Sequence, residues 1–288
     1  MRVVLAAIDA SPAARAVLET ALRLARLTGG EATAVHVRAQ AGAPTPEEIA
    51  AHSGVPLRLL DGAVDELLLE AVATPEVDLA VLGARGVPGG RRPVGGTALR
   101  VLERAGKPIV VVPPEAAGAS PRPFHRILVP LEGTAASSRP VAANLERLVS
   151  PGAEVVVLHV YTGATMPRML DRPLRDVELL GAEFLARHLP SADRIEFRSG
   201  PVDRQVLEVS RDEQADLLVL TWSRSPGMRT SAVVRGVLGH SLVPVLLLPA
   251  APAPVAIEGS EGPGVAASSA GTGAPGRPQR AGRERRRR

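Results

Sequence analysis

Four residues of one segment have the types and the spacing of a phosphate-binding loop. Gly83, Gly86, Gly96 and Thr97 follow the pattern G-x2-G-x9-G-T, between an apolar strand pattern and a helix pattern. Glycines have no Cβ, so their backbone N–H groups can approach a phosphate closely. A hydroxyl at a helix N-terminus favours the same anion, and Arg85 could add a charge-assisted hydrogen bond. The alternative is a flexible loop whose arginines are simply solvated.

This segment belongs to a unit that occurs twice in the chain. VVLAAIDAS near the start matches RILVPLEGT 123 residues later, and AVHV matches VLHV at the same offset. Farther along, DLAVLG matches DLLVLT 138 residues later, and KPIVVVP matches VPVLLLP 136 residues later. The second copy therefore has about fifteen additional residues after its second strand and two fewer in the glycine segment. Repetition at this long period indicates two copies of one domain.

Each copy alternates apolar strand patterns with amphipathic helix patterns. In the first copy we expect strands near 57–60, 77–82 and 109–112, and helices at 64–73 and from about 96. This alternation predicts an α/β fold of two tandem Rossmann-like or flavodoxin-like parallel-sheet domains. Ligands of such sheets lie beyond the carboxyl ends of the strands, near the point where the strand order reverses. Asp9, Val37 and Gly83 stand at strand ends of that kind.

The repeat also sets the domain boundaries. Domain 1 spans residues 1–114 and domain 2 spans 125–249, with a linker at 115–124. Residues 250–288 lack apolar periodicity and are rich in Ala, Pro, Gly, Ser and Arg, so we expect a disordered tail. The tail holds seven of the 34 basic and three of the 30 acidic residues, which leaves 27 of each in the rest of the chain. Nucleic acid is therefore not an expected partner of the folded part, and only this arginine-rich tail could contact it; the alternative is a solvated tail.

Composition excludes several classes of chemistry. The absence of cysteine excludes disulfides, thiolate catalysis and cysteine-ligated metals. The single lysine, Lys107, has no Walker A glycine loop before it, and no catalytic triad or metal-binding spacing is present. The apolar run near the N-terminus ends at Asp9 after about six residues, and prolines interrupt the apolar segment from Val243. We therefore expect a cytoplasmic protein without a membrane span.

The second copy has lost the phosphate pattern. Position by position, the first-copy residues Asp9, Gly83, Gly86, Gly96 and Thr97 are replaced by Glu132, Thr221, Arg224, Ala232 and Val233. Side chains stand where a phosphate would need bare backbone, and the hydroxyl is missing. We expect the second copy to be structural or to bind another ligand. Trp222 is expected to be buried against the neighbouring copy and not to stack on a ligand. The repeated His36 and His159 are more readily explained as structural residues than as catalysts.

Residues 1–249 as a whole resemble a tandem universal stress protein. The resemblance rests on Asp9 after the first strand, on His36-Val37 at the end of the second, and on the glycine pattern of the first copy. The resemblance implies ATP as the ligand, with Mg²⁺ bound to its phosphates. Two features depart from the family: Ala7 stands where proline is common, and the segment 38–56 has room for only one or two helical turns.

The resemblance assigns roles to ten residues. Asp9 and Val37 would line the adenosine pocket next to Ala7, and Leu82 would lie near the ribose. The phosphates would be held by Gly83, Arg85, Gly86, Gly96, Thr97 and Ala98. We expect a regulatory stress-response protein with at most slow ATP hydrolysis, because no residue is placed as a general base.

Two further expectations follow from the resemblance. The final strands of the two copies would pair with each other, as the subunits of family dimers do, and the whole chain could form a homodimer. The alternative function is a nucleotide-free module that acts through unknown protein partners.

Overall fold

The structure, a computed structural model of the 288-residue chain, does not describe every residue. The described ranges are 2–11, 13–38, 46–85, 94–117, 123–150, 152–162, 174–222 and 231–250. Gly86 and the predicted tail from residue 251 onward lie outside them. Residues 1–253 form one compact unit.

In the first half of the chain, residues 1–114, the described strands and helices alternate as predicted. They are β1 Val3–Ala7, α1 Ala13–Thr28, β2 Glu31–Arg38, α2 Pro46–Ser53, β3 Leu57–Asp61, α3 Val64–Ala73, β4 Val77–Gly83, α4 Gly96–Arg104 and β5 Ile109–Val112. The expected bounds agree within one residue, and α2 supplies the two turns for which the short segment has room.

The second half, residues 125–249, repeats this order. Its elements are β6 Arg126–Pro130, α5 Ala135–Leu148, β7 Glu154–Tyr161, α6 Leu174–His188, β8 Arg194–Ser199, α7 Val202–Asp212, β9 Leu217–Trp222, α8 Ala232–His240 and β10 Val245–Pro249. The additional residues of this half contribute to α6, which has 15 residues where α2 has eight. None of the helices in the described ranges is long and apolar enough to cross a membrane.

The ten strands form one sheet in the order β3-β2-β1-β4-β5-β10-β9-β6-β7-β8. Neighbouring strands are parallel except β5 and β10, which pair antiparallel with Val111 opposite Val245. The predicted α/β fold with a mostly parallel sheet is thus confirmed, and the last strands of the two halves are neighbours. In each half the first strand lies in the middle of the five. The next two strands lie on one side of it and the last two on the other, so the strand order reverses between β1 and β4, and between β6 and β9. Such a reversal opens a crevice at the carboxyl ends of the strands.

The sheet separates two buried layers. Adjacent β1 residues point to opposite faces: Val4 belongs to the buried cluster that includes residues of α1 and α5, whereas Leu5 belongs to the cluster that includes residues of α3, α4, α7 and α8. Both residues are about 1% exposed. Strands covered on both faces explain the continuous apolar runs in the sequence.

Two arginine–aspartate pairs connect the halves. Arg23 of α1 contacts Asp216 at 3.1 Å, and Arg147 of α5 contacts Asp78 at 2.9 Å. The Arg23 guanidinium also lies 3.6 Å from the centre of the Phe124 ring, which is fully buried. Part of the predicted linker 115–124 is therefore built into the core.

Candidate functional site

A cavity of about 330 Å³ lies at the carboxyl ends of β1, β2 and β4 and at the N-terminus of α4. Nine of the ten predicted ligand-binding residues line it: Ala7, Asp9, Val37, Leu82, Gly83, Arg85, Gly96, Thr97 and Ala98. The tenth, Gly86, lies outside the described residues. The cavity occupies the crevice at the strand-order reversal, and its size is typical of small-molecule sites, which measure roughly 300–1,000 Å³.

One end of the cavity is formed by the loop after β1 and by the end of β2. Oδ1 of Asp9 accepts hydrogen bonds from the backbone N–H of Ser11, at 3.0 Å, and from the Ser11 hydroxyl. This turn holds the carboxylate in place at the start of α1. Nδ1 of His36 lies 2.9 Å from the carbonyl oxygen of Ile8, so the imidazole ties the ends of β1 and β2 together. Val37 follows it and is 7% exposed.

An apolar wall of the cavity comes from residues that the sequence analysis did not identify. Val64 and Leu68 of α3 and Val17 of α1 line the cavity together with the predicted residues. Val64 and Leu68 are four residues apart and therefore lie on one face of their helix. That spacing was the available signal, but it does not distinguish a cavity wall from ordinary core packing.

The glycine end of the cavity presents bare backbone. A Cβ added to Gly83 would lie 3.7 Å from Cγ2 of Val17, an ordinary van der Waals distance. A Cβ on Gly96 would lie 3.0 Å from Nη1 of Arg100, the mobile end of a long side chain. Neither glycine has a positive φ. The fold alone therefore does not require glycine at either position.

Arg85 is a buried cation beside this glycine end. Its side chain is 7% exposed, and Nη2 lies 2.8 Å from Oε2 of Glu115. Its Nε and Nη1 atoms are buried without a hydrogen-bond partner. Buried donors are usually paired, and a guanidinium pairs best with a carboxylate or a phosphate. Arg85 therefore has hydrogen-bonding capacity beside the cavity that its bond to Glu115 does not use.

A second charged pair lies next to the first turn of α4. Nε of Arg100 contacts Oδ2 of Asp65 on α3, and Nη2 of Arg100 lies 3.5 Å from Oγ1 of Thr97. The hydrogen bond from Arg100 lowers the pKa of the Asp65 carboxyl. Oδ1 of Asp65 is buried without a hydrogen-bond partner. The sequence analysis missed this pair, because the two residues belong to different helices.

The second half places different side chains at the equivalent positions. Gly83 pairs with Val112 on β5, and Thr221 pairs with Leu248 on β10 in the corresponding register. Helix α8 begins at Ala232 as α4 begins at Gly96. The register thus supports the sequence alignment of the two glycine positions with Thr221 and Ala232.

Trp222 fills space at the same point of the second half. It follows Thr221 in the chain and takes the position of Ala84, which lines the first-half cavity. The indole is 5% exposed and belongs to the buried cluster that contains Val206 and Val237. The predicted burial of Trp222 is confirmed, whereas its contact with the neighbouring copy stays a prediction.

The described residues contain no group of three or more His, Asp or Glu side chains arranged to hold a metal ion. A Mg²⁺ ion that enters this cavity would depend mainly on oxygen ligands from the bound molecule. Phosphate oxygens are the ligands that Mg²⁺ commonly takes in nucleotide sites.

Comparisons with known proteins agree with this architecture. The sequence model of the Universal stress protein family matches residues 123–249, which span the second half of the chain. A search of the curated proteins found no significant match.

Three solved structures share the fold over most of their length. A universal stress protein from Archaeoglobus fulgidus DSM 4304 has a TM-score of 0.65 at 15% identity, covering 86% of this chain and 98% of that chain. A functionally unknown protein from Pseudomonas aeruginosa PAO1 has a TM-score of 0.65 at 14% identity, with 87% and 93% covered. A putative universal stress protein from Pseudomonas aeruginosa UCBPP-PA14 has a TM-score of 0.60 at 15% identity, with 87% and 94% covered. At these identities the likeness establishes the fold of both halves.

Proposed function

We propose that the chain is a tandem universal stress protein whose first half binds one ATP, with Mg²⁺ on the phosphates. Asp9 and Val37 contact the adenosine, Leu82 lies near the ribose, and the phosphates lie against the backbone of the glycine segment. The second half is the structural partner in an intramolecular pseudo-dimer that meets the first half at β5 and β10. The nucleotide acts as a regulatory ligand in a stress response.

The observation that carries this proposal is the convergence of the predicted residues on one cavity. They come from four segments of the chain, around Ala7, Val37, Gly83 and Gly96, and all four meet at the strand-order reversal. A motif that arose by chance would have no reason to adjoin a cavity that the other three segments also line. The apolar wall formed by Val64 and Leu68 suits the base and ribose, which in this half have no aromatic side chain to stack on.

The bare backbone of the glycine segment supports a phosphate as the ligand group. Thr221 and Ala232 show that the same fold accepts side chains at the positions of Gly83 and Gly96. Glycine at both positions in the first half therefore needs a reason other than folding, and close approach of an anion to backbone N–H groups is such a reason. Arg85, with two buried nitrogens that lack a partner, adds positive charge at the same place.

Isothermal titration of the full chain with ATP, with and without Mg²⁺, tests the proposal. We expect a stoichiometry near one ATP per chain and tighter binding with Mg²⁺, because the cavity supplies few oxygen ligands of its own. Two ATP molecules per chain would contradict the assignment of the second half. Absence of both binding heat and a shift of the melting temperature would favour the nucleotide-free interaction module.

A further inference from the structure

Arg100 places a positive charge over the N-terminus of α4. Helical side chains point toward the N-terminus, so a residue four positions after Gly96 covers the first turn. The guanidinium accordingly lies 3.0 to 3.6 Å from the position that a Gly96 side chain would take. Its side chain is 54% exposed and lies beside Gly96, which lines the cavity.

This placement is electrostatically unfavourable without a counter-charge. The N-terminus of a helix carries a partial positive charge, and cations are normally stabilising at the other end. Asp65 supplies the counter-charge through its contact with Nε of Arg100. A phosphate at the N-terminus of α4 would interact favourably with both the helix dipole and Arg100.

The second half contains the aspartate of this pair without the arginine. Asp203 and Gly236 take the places of Asp65 and Arg100 in the repeat. A Cβ on Gly236 would lie only 2.6 Å from Oδ2 of Asp203. Helices α7 and α8 have thus closed the space in which the arginine of the first half lies. Arg100 is therefore present in the half in which the predicted ligand-binding residues line a cavity, and Gly236 replaces it in the other half.

A buried cation inside the cavity points independently to an anionic ligand. Arg85 is 7% exposed, lines the cavity, and has two nitrogens without a partner. Arg85 lines the cavity and Arg100 lies over Gly96, so positive charge is present at two separate places around one site. A ligand with a single phosphate can neutralise the charge of Arg85. A ligand that neutralises both Arg85 and Arg100 needs a longer chain of phosphates.

We propose that Arg100 is a specificity-determining residue. When the ligand binds, Arg100 breaks its contact with Asp65 and pairs with the terminal phosphate, so that the site prefers a nucleoside triphosphate to a monophosphate. This inference rests on the proposed nucleotide function and adds a ligand preference to it. Arg100 contributes little to folding, because exposed ion pairs contribute roughly 0–1 kcal/mol.

The test is isothermal titration of ATP and AMP into the wild-type chain, Arg100→Gln and Arg104→Gln. Arg104 provides the matched control, because it carries the same charge at the exposed C-terminal end of α4, about 12 Å along the helix axis from Gly96. We expect Arg100→Gln to weaken ATP binding about tenfold, the effect of one charged hydrogen bond, and to leave AMP binding within about twofold. Arg104→Gln should leave both affinities within about twofold.

The outcomes separate this inference from the proposed function. Wild-type ATP affinity in Arg100→Gln overturns the role of Arg100 and leaves nucleotide binding intact. Equal losses of ATP and AMP affinity in that variant overturn the triphosphate preference, because they indicate a general change of the site. If the wild-type chain binds neither nucleotide, the proposed function fails, and this inference fails with it.

Discussion

The two halves of the molecule share one fold but carry different side chains at the point where the strand order reverses. Strands β4 and β9 pair with β5 and β10 in the same register. Helices α4 and α8 begin at aligned residues, Gly96 and Ala232. Gly83 and Ala84 line a cavity in the first half. Thr221 and the buried Trp222 take their places in the second. The same backbone fold therefore provides an equivalent position in both halves, and the side chains at that position determine whether a ligand can bind there.

The other side of the crevice repeats the contrast. Nδ1 of His159 lies 2.9 Å from the carbonyl oxygen of Leu131, as His36 contacts Ile8, so this hydrogen bond belongs to the shared scaffold. In the second half, however, aromatic rings surround the histidine. Phe184 from the longer helix α6 approaches His159 with ring centres 5.0 Å apart, and Tyr161 approaches it at 4.7 Å.

Removing the side chain that fills the second crevice should have the largest effect. Trp222→Ala should lower the free energy of unfolding by about 3–5 kcal/mol, the usual cost of a large-to-small change in a core. Nε1 of Trp222 has no hydrogen-bond partner, so the cost is one of packing alone. Urea denaturation measures the change. A loss below about 1 kcal/mol would mean that the indole does not fill the crevice.

The second prediction exchanges one residue between the halves. Gly83→Thr copies the second half and should weaken ATP binding at least about 100-fold, because a side chain excludes the phosphate from the backbone. Titration calorimetry measures the affinity. The melting temperature should stay nearly constant, since a Cβ at this position meets only an ordinary contact with Val17. The reverse change, Thr221→Gly, is the matched control and should leave the affinity unchanged. ATP affinity that survives Gly83→Thr would place the phosphates elsewhere.

Local patterns account for the parts of the structure that the sequence predicted. Strands β4 and β5 could be located because strands buried on both faces need continuous apolar runs. Asp9, Val37 and Gly83 could be placed at the cavity because each stands at a strand end, and the topology of a parallel sheet brings such positions together. Ala7, Leu82 and Ala98 were assigned only through the resemblance to a known family.

Contacts between distant elements account for what was missed. Asp65 and Arg100 meet only because α3 packs beside α4, and neither belongs to a local motif. Phe124 was assigned to a linker, yet it is buried beneath Arg23 of the first helix. Its burial depends on how the two halves pack, which the repeat pattern does not specify.

The third prediction compares the two arginines that pair with an aspartate of the other half. The Arg23 side chain is 10% exposed and also donates to the carbonyl oxygen of Pro123 at 2.9 Å, whereas Arg147 is 41% exposed. Arg23→Leu should therefore lower the free energy of unfolding by about 2 kcal/mol, and Arg147→Leu by less than about 1 kcal/mol. Chemical denaturation distinguishes the two values. Equal losses of unfolding free energy in the two variants would indicate that burial of the arginine does not determine how much each ion pair stabilises the protein.

The smallest effect is expected at the amino ends of the second-half strands, far from the crevice. Glu154 accepts hydrogen bonds from Nε of Arg126 and Nε of Arg194, both at 2.8 Å. The bond from Arg194 is the main cause that lowers the pKa of Glu154. In the first half the corresponding register pairs Val3 with Glu31, so this charge network belongs to the second half alone.

A carboxyl group whose pKa is lowered in the folded state contributes stability above its unfolded pKa, about 4.3, and loses it as the pH falls through the folded value. Glu154→Gln should therefore cost up to about 1 kcal/mol at pH 7 and nothing at a pH below the folded pKa. Denaturant titrations across this range measure the difference, and Arg194→Gln should cost less in the Glu154→Gln background than in the wild type. A cost of Glu154→Gln that persists unchanged into acid would show that Glu154 acts through packing.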